Sequence, residues 1–402
     1  MNASKIKIFD IVNKIIADIE KNGDKAISRY TLKFDKIKIK RFLVSKKEIK
    51  KAYKEIDKGT LIALKKAARN IRRFAEKQLK CFRNFKYNQK GMILGQRIVP
   101  IERIGCYVPG GNYPLPSSAL MSVIPAKTAG CKEIIVCSPK IKPATIVAAN
   151  LAGADKIFRI GGIQAIAAMA QGTEQIPKVD KIVGPGNIYV NLAKKEIFGK
   201  AGIDFIAGPS EVMIIADDSA NPEFIAADML AQAEHDINAI PILVTTSKSI
   251  AKETKIELKK QLSKLKTKEI AEKALKNGEI IVVKNIGEAV KIANEKAPEH
   301  LGLQIKNAEK YISQCLNYGS LFLGNYSAEV FGDYCSGPNH ILPTAGAARY
   351  SGGLSARDFI KINTYQKITK KGAKKLAQTA SKLAEVEGLY AHKNASDIRK
   401  QA

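Results

Sequence analysis

The first ninety residues carry apolar positions at three- and four-residue intervals, the spacing that places side chains on one face of an α-helix. Polar and charged residues, many of them lysines, fill the positions between. We therefore predict that this part of the chain is a helical lead-in. The apolar positions are Ile6, Ile11, Ile15 and Ile19, and later Leu61, Leu64, Ala68, Ile71 and Phe74.

From about Met92 the pattern changes to short apolar runs, each bounded by Gly or Pro and followed by a stretch of helical periodicity. Such alternation predicts parallel strands joined by helical crossovers. The runs are rich in Ile and Val, which is typical of strands buried on both faces of a doubly wound sheet. The predicted strands cover 133–137, 156–160, 181–183, 212–216, 241–245 and 279–283, and the predicted helices cover 118–129, 163–170, 188–198, 222–234 and 373–383, with a surface helix pair over 249–276.

The length of the chain, 402 residues, exceeds the roughly 250–300 residues over which one hydrophobic core grows, so we predict two main domains. Two doubly wound sheets fit this length. The predicted fold class is α/β, with two such domains, a helical N-terminal arm and a helical C-terminal tail.

Several features predict a cytosolic protein without a membrane partner. No segment of about 18 or more uninterrupted apolar residues could cross a bilayer, and residues 1–10 lack the features of a signal peptide. The six cysteines include no Cys-x-x-Cys pair, which argues against a disulfide framework and a thiolate zinc site. Cys335 lies near the candidate chemistry, where a nucleophilic role and simple packing are both open.

The formal net charge of +29 is compatible with a nucleic-acid partner, but the distribution of charge argues against one. Between Ile101 and Ile240, Lys and Arg number 12 and Asp and Glu number 14, so the positive surplus lies in the flanks. The flanks interleave Lys with Glu, as solvated helix faces do, and contain few aromatic residues for base stacking. We therefore predict no nucleic-acid partner, although a basic binding protein remains a rival interpretation.

Four histidines occur in the chain, each among polar, Gly or Pro residues. Gln232 and His235 are three apart near the end of a predicted helix, so both side chains project from one face and could hold one metal ion. Asp333, His340 and His392 are distant donors, and imidazole, carboxylate and amide ligands without sulfur suit Zn²⁺ or a similar ion. Spacing alone equally allows a capping His235 and a solvent-facing Gln232.

Glu299 and His300 form a vicinal acid/base pair directly after Pro298. In a regular strand they would point to opposite faces, so joint action requires a turn. A His that titrates near neutral pH and a Glu whose pKa burial could raise are the groups that a stepwise oxidation needs. A surface Glu beside a capping His is the other interpretation.

Four glycine-rich elements each lie at the end of a predicted strand, where open α/β sheets bind ligands. No Gly-x-Gly-x-x-Gly fingerprint occurs, so spacing alone does not indicate a dinucleotide, and tight turns explain the glycines equally well. The elements cover 108–112, 161–164, 184–187 and 208–211.

Taken together, these motifs resemble histidinol dehydrogenase from about Ile11 to the C-terminus. Several long segments occur in the order of the family, which chance rarely produces. The segments are PIERIGCYVPGG (100–111), VDKIVGPGN (179–187), AGPSE (207–211), QAEH (232–235), APEHL (297–301), GDY (332–334) and NHILPT (339–344).

The resemblance implies the oxidation of L-histidinol to L-histidine, the last step of histidine biosynthesis, with two NAD⁺ and a bound histidinal. It also implies one Zn²⁺ per subunit and an intertwined homodimer, with the last zinc ligand supplied by the partner. The implied zinc ligands are Gln232, His235, Asp333 and His392. The implied substrate-binding residues are these four with Ser210, His300, His340 and Glu387. The implied NAD-facing residues are Tyr107, Gln164 and Asn187.

The resemblance further implies that His300 takes the hydroxyl proton as the first hydride leaves, and that Glu299 then activates water on the aldehyde. It implies Rossmann-like domains, with most of the zinc and catalytic residues in one, the NAD-facing residues in an inserted second, and a tail that completes the site across the dimer. The predicted divisions are an arm over 1–20, a first domain over 21–105 and 212–354, an inserted domain over 106–211, and a tail over 355–402.

Two positions depart from the family pattern. Asp236 replaces the usual glycine after the metal-binding His, and residues 351–354 vary the usual run near the tail. Neither is a proposed ligand. A zinc hydrolase that uses Glu299 to activate water is the alternative enzyme class, but it leaves the glycine turns without a role.

Overall fold

The computed structural model describes residues 3–110 and 114–401. Gly111 and Asn112, which belong to the first predicted glycine turn, lie outside these residues. The predicted helical lead-in is confirmed as far as Leu79, but residues 85–89, which the prediction also included, form a strand. The lead-in consists of α1 (Ala3–Asp35), α2 (Lys46–Glu55) and α3 (Lys58–Leu79).

Side-chain caps fix where the second and third helices begin. Ser45 and Glu48 form a capping box, in which each side chain bonds to the backbone N–H of the other residue. At the start of α3, Asp57 accepts a hydrogen bond from the backbone N–H of Thr60 at 2.8 Å.

The rest of the described chain alternates between strands and helices, with three short 3₁₀ helices. The strands are β1 (Phe85–Gln89), β2 (Met92–Pro100), β3 (Arg103–Tyr107), β4 (Glu133–Cys137), β5 (Lys156–Phe158), β6 (Lys181–Val183), β7 (Gly202–Ile203), β8 (Glu211–Ala216), β9 (Ile240–Thr245), β10 (Glu279–Val282), β11 (His300–Gln304), β12 (Ser320–Leu323) and β13 (Ile360–Ile368). The helices are α4 (Pro116–Ala129), α5 (Pro143–Ala152), α6 (Gly162–Gln171), α7 (Ile188–Ile197), α8 (Pro222–Ala233), α9 (Lys248–Leu262), α10 (Lys268–Leu275), α11 (Ile286–Lys296), α12 (Glu329–Tyr334), α13 (Lys370–Val386) and α14 (Tyr390–Gln401).

Within the described ranges, ten strands form two parallel five-stranded sheets of the same strand order. The first sheet runs β5-β4-β3-β6-β7 and the second β10-β9-β8-β11-β12. In each sheet the first strand of the chain is the central one, the next two strands lie on one side of it, and the last two lie on the other side. The predicted α/β class with two doubly wound units is therefore confirmed.

Helices cover both faces of each sheet, and the side chains of a central strand alternate between the two layers. On β4, Ile134 and Val136 pack with α3, α4 and α5, whereas Ile135 and Cys137 pack with α1, α6 and α7. The second sheet repeats this arrangement, with α8, α9 and α10 on one face and α11 on the other. Burial on both faces explains the near-continuous apolar runs of the sequence.

A third, antiparallel sheet of β1, β2 and β13 was not predicted. Its outer strands are almost entirely exposed, so they lack the alternation of buried and polar positions that reveals a strand. β3, β7, β11 and β12 were also absent from the predicted strands, β3 because Gly105 interrupts its apolar pattern and β7 because it has only two residues. In β11 a histidine, a glycine and a glutamine interrupt the apolar pattern, and β12 has only four residues.

The C-terminal tail is helical, as predicted. α13 and α14 pack against each other, and α13 begins where Gly372 contacts Gly91 in the turn between β1 and β2. Leu383, Val386 and Tyr390 are exposed on this pair.

The domain boundaries given above stay a prediction. None of the helices in the described ranges has the length and apolar content needed to span a membrane.

The turn after β6 depends on Gly184. Its φ is +120°, and a Cβ here would lie well inside van der Waals contact of the Tyr107 carbonyl oxygen. Gly199 has a similar φ of +101°, but no described atom lies within 4 Å of the position that its Cβ would take. Gly199 therefore provides a matched control that isolates the contact from the backbone strain.

We predict that Gly199→Ala lowers the free energy of unfolding by about 1–2 kcal/mol through backbone strain. Gly184→Ala should lower it by about a further 1–3 kcal/mol, because β3 and β6 must move apart. Urea unfolding of both variants at one protein concentration measures the difference. Equal losses would show that the contact with Tyr107 is unimportant.

Candidate active site

The candidate site lies where the carboxyl ends of the first sheet face the amino ends of the second. Tyr107 ends β3, whereas His300 and Glu211 are the first residues of β11 and β8. The turn over 208–211 was predicted at the end of a strand but precedes β8, so it lies at the amino end of that strand. The first sheet therefore contributes its carboxyl edge to the candidate site, and the second sheet contributes its amino edge.

Glu299 lies directly before β11 and is buried. Its Oε2 accepts a hydrogen bond from the backbone N–H of Glu211 at 2.9 Å, and the Nε2 of Gln232 lies 3.5 Å from the same oxygen. Burial raises the pKa of Glu299 to about 7. Near neutral pH this carboxyl group can therefore both give and take a proton.

His300 is buried among carboxylates. Its Nδ1 lies 3.5 Å from Oε1 of Glu329, 3.8 Å from Oε2 of Glu299 and 3.2 Å from the carbonyl oxygen of Glu211. Its Nε2 lies 3.5 Å from Oδ1 of Asp333. Burial by itself lowers the pKa of His300, but the charges of Glu329, Glu299 and Asp333 outweigh it and raise the pKa to about 10. The imidazole is therefore held as a cation at neutral pH.

Asp333, one turn after Glu329 on α12, is the anionic partner of this cation. Burial by itself raises the pKa of Asp333, but contact with His300 lowers the pKa below its usual value. The backbone oxygen of Asp333 also accepts a hydrogen bond from Nδ1 of His340 at 2.7 Å. Burial lowers the pKa of His340, so its neutral ring can accept a hydrogen bond through Nε2 from the hydroxyl of Ser118, 3.3 Å away.

Glu329 was missed in the sequence. It is fully buried, and neither carboxylate oxygen has a hydrogen-bond partner among the described residues. Burial raises its pKa well above the usual value. With His300 and Asp333 it forms a group whose donor atoms lie within 4.8 Å of one another. The spacing of four between Glu329 and Asp333 on one helix was the signal that could have revealed it.

His235 follows the end of α8 and is exposed at the border of this group, three residues from the buried Gln232. Its charge acts on the pKa values of Asp333 and His340. The structure thus brings five predicted residues together at one place, with His235 beside them. The five are Gln232, Glu299, His300, Asp333 and His340.

Three predicted substrate residues or ligands lie outside this buried group. Ser210 is half-buried in the turn before β8, and its carbonyl oxygen accepts a hydrogen bond from the backbone N–H of Ile240 at 2.9 Å. Glu387 and His392 are exposed at the end of α13 and on α14. Within one chain, the tail residues are therefore accessible to another molecule.

The predicted cofactor residues lie along the carboxyl edge of the first sheet. Tyr107 is buried, its hydroxyl oxygen accepts a hydrogen bond from the backbone N–H of Gly162 at 3.1 Å, and burial raises its pKa to about 12. Gln164 is buried, and its Oε1 meets no hydrogen-bond donor in the described part of the chain. Asn187 is exposed and caps α7 through bonds to the N–H groups of Tyr189 and Val190.

Comparison with known proteins gives matches over nearly the whole chain. The sequence model of the family described as histidinol dehydrogenase matches residues 1–400. Histidinol dehydrogenase of Methanocaldococcus jannaschii is 46% identical over 394 residues, 97% of this chain and 92% of the relative. That of Bacillus cereus is 48% identical over 393 residues, 96% and 91% of the two chains. The crystal structure of histidinol dehydrogenase from Elizabethkingia anophelis superposes with a TM-score of 0.94 at 44% identity, over 98% of this chain and 92% of that one.

We predict that Glu329→Gln lowers the pKa of His300 in the metal-free protein below its value of about 10, because one of the charges that favour the imidazolium is removed. NMR titration of the ring measures this pKa, and the presence of only four histidines simplifies assignment. Glu269→Gln, at an exposed position on α10, is the control and should leave the pKa unchanged. An unaltered titration of His300 in Glu329→Gln would contradict the role assigned to this carboxylate.

Proposed function

Because the chain belongs to the histidinol dehydrogenase family, we propose that it oxidises L-histidinol to L-histidine, the last step of histidine biosynthesis, through a bound histidinal and with NAD⁺ as oxidant. The buried pair of Glu299 and His300 supports this activity most directly. The two groups adjoin each other, and the pKa of Glu299, about 7, suits proton transfer near neutral pH.

In the first step, His300 would take the proton of the substrate hydroxyl while a hydride leaves the alcohol carbon. His300 is a base only when neutral. The carboxylates of Glu329 and Asp333 hold its pKa near 10, so it becomes a base when negative charge around it is reduced or when the pH rises. Contacts with Glu211 and Glu329 keep the ring in place as its charge changes.

In the second step, Glu299 would accept a proton from water as the water oxygen adds to the aldehyde carbon of histidinal. The hydrate that forms has a C–H bond from which a second hydride leaves, and the product is the carboxylic acid. A pKa of about 7 leaves a substantial ionised fraction of Glu299 at neutral pH. The hydrogen bond from the backbone of Glu211 keeps the carboxylate oriented.

NAD⁺, when bound, would accept the hydride in each step. The carboxyl edge of the first sheet fits such a ligand, because it combines glycine turns at a topological switch point with the buried Oε1 of Gln164, which meets no described donor. Tyr107, Gln164 and Asn187 would face the cofactor. Gly161 lies so close to Pro139 that a Cβ would not fit there, so the turn after β5 packs tightly against the end of β4.

A zinc ion, when bound, would orient the substrate by its imidazole and amine and offset the negative charge at Asp333. The donors present are nitrogen and oxygen atoms without sulfur, which suit such an ion. Asp333 lies in the buried group with His300 and Glu329. Gln232 contacts Glu299 in the same place, and the charge of His235 acts on Asp333. We assign the fourth ligand to His392 of the partner subunit. Ser210, His340 and Glu387 would contact the substrate.

The exposed tail supports a homodimer in which each tail completes the site of the other subunit. Glu387 and His392 lie on the same helix pair as the exposed side chains of Leu383, Val386 and Tyr390. Apolar side chains of this size become buried when a second chain covers them. We further propose that the protein acts in the cytosol without nucleic-acid or membrane partners.

The proposed reaction is tested by following NADH absorbance after adding L-histidinol and NAD⁺ to the purified protein. We predict NADH formation that a chelator abolishes and Zn²⁺ restores. With Glu299→Gln, oxidation of histidinal should fall more than oxidation of histidinol to the aldehyde, because the base that activates water is removed. If Glu299→Gln lowered the oxidation of histidinol and of histidinal equally, Glu299 would not be the base that activates water in the second step. A wild-type protein that forms no NADH but cleaves an amide or ester would favour the zinc hydrolase.

The exchange of tails is tested with heterodimers purified by two different tags. When one subunit carries His235→Ala and the other His392→Ala, exchange leaves one of two sites intact, so we predict about half of the wild-type kcat per dimer. When one subunit carries both substitutions and the other none, exchange damages both sites and activity should be lost. If instead the first heterodimer were inactive and the second kept about half of the activity, His235 and His392 of one chain would lie in the same site.

A further inference from the structure

Two Gly-Pro turns lie next to each other between the two sheets. The first, over 184–187, follows β6 and includes Asn187; the second, over 207–210, precedes β8 and includes Ser210. Helix α7 starts from the first turn. Asn191 and Lys194 lie three residues apart on α7, so both side chains project from the face of the helix that contacts the turns.

Lys194 holds the first turn. It is among the largest fully buried side chains that the structure describes, and it pairs with the carboxylate of Asp204, whose side chain is equally buried. Its ammonium group also donates to the carbonyl oxygen of Gly184 at 3.0 Å, while Asp204 accepts from the N–H of Gly184 at 2.8 Å. Both backbone groups of Gly184 are thereby fixed.

Asn191 joins the two turns. Its buried Nδ2 donates to the carbonyl oxygen of Gly186 at 2.9 Å and to that of Ala207 at 2.9 Å. A single amide group therefore bonds the turn that follows the first sheet to the turn that enters the second. The opposite amide orientation would place Oδ1 against two carbonyl oxygens, so the contacts require a donor at this position.

The second turn is fixed on its other side as well. The N–H of Gly208 donates to the hydroxyl of Thr344, and the carbonyl oxygen of Ser210 accepts from Ile240 at 2.9 Å. The backbone of 207–210 is thus hydrogen-bonded to Thr344 and Ile240 on one side and to Asn191 on the other. The bond to Asn191 connects this turn to the turn over 184–187. Movement of this amide would change the distance between the turns and leave the other bonds of each turn intact.

We propose that Asn191 is a positioning residue that sets the distance between the cofactor turn with Asn187 and the substrate turn with Ser210. This inference rests on the proposed function, in which these turns hold the hydride acceptor and donor. Hydride transfer requires the reacting atoms to lie about 3–3.5 Å apart, and an error of about 1 Å costs on the order of a hundredfold in rate. Asn191 touches neither ligand and acts through the two carbonyl groups.

Two substitutions test this role. Asn191→Asp keeps the shape but places an acceptor opposite two carbonyl oxygens, and Asn191→Leu removes both hydrogen bonds at similar volume. We predict that kcat for histidinol falls about 10- to 100-fold in both variants, with much smaller changes in the KM values of histidinol and NAD⁺. Amide hydrogen exchange should rise in both turns together.

Asn294→Leu is the matched control. Asn294 also bonds a backbone carbonyl oxygen through its side chain, that of Gln314 at 2.8 Å, but it lies on α11, and its side-chain hydrogen bonds join residues 314–317 and neither turn. This variant should lose stability with kcat and exchange in the two turns unchanged. Faster exchange with an unaltered kcat, or unchanged exchange in either turn, would overturn the positioning role. If the wild-type protein formed no NADH from histidinol, the proposed function would be wrong, and the positioning role, which rests on it, would be wrong as well.

Discussion

The site depends on one buried cation, the imidazolium of His300, held among carboxylates that burial alone would keep protonated. Glu329 and Asp333 lie 3.5 Å from the ring on opposite sides, and Glu299 lies 3.8 Å away. Each charge is costly to bury without the others, so the proton distribution belongs to the group and not to a single residue. A ligand that alters one charge therefore redistributes protons over the whole group.

The connection between the sheets explains how this group comes to face the carboxyl edge of the first sheet. The chain leaves the first sheet at Ile203, the carboxyl end of β7, and enters the second at Glu211, the amino end of β8. The seven residues between span at most about 25 Å even when extended. The amino edge of the second sheet is thereby held near the carboxyl edge of the first, and Lys194 and Asn191 fix this short segment further.

Much of the fold could be predicted from local patterns. Buried strands such as β4 and β8 contain unbroken Ile and Val runs, and the helices beside them have clear caps or Gly ends. Prediction failed where burial does not shape the sequence, or where polar residues or glycine interrupt a buried strand. β1 and β13 are exposed on nearly every residue, and β11 carries His300 and Gln304 at positions where an apolar side chain would have marked a strand.

The sequence by itself determined the class of fold, the family and the residue types available for chemistry, because periodicity and motif order are local properties of the chain. Only the tertiary structure decided that Glu329 joins His300 and Asp333, and that the site lies at the amino ends of β8 and β11. The pKa of His300 depends on charges brought within 4 Å from separate elements, and burial strengthens their effect. Such distances arise from packing and cannot be read from spacing along the chain.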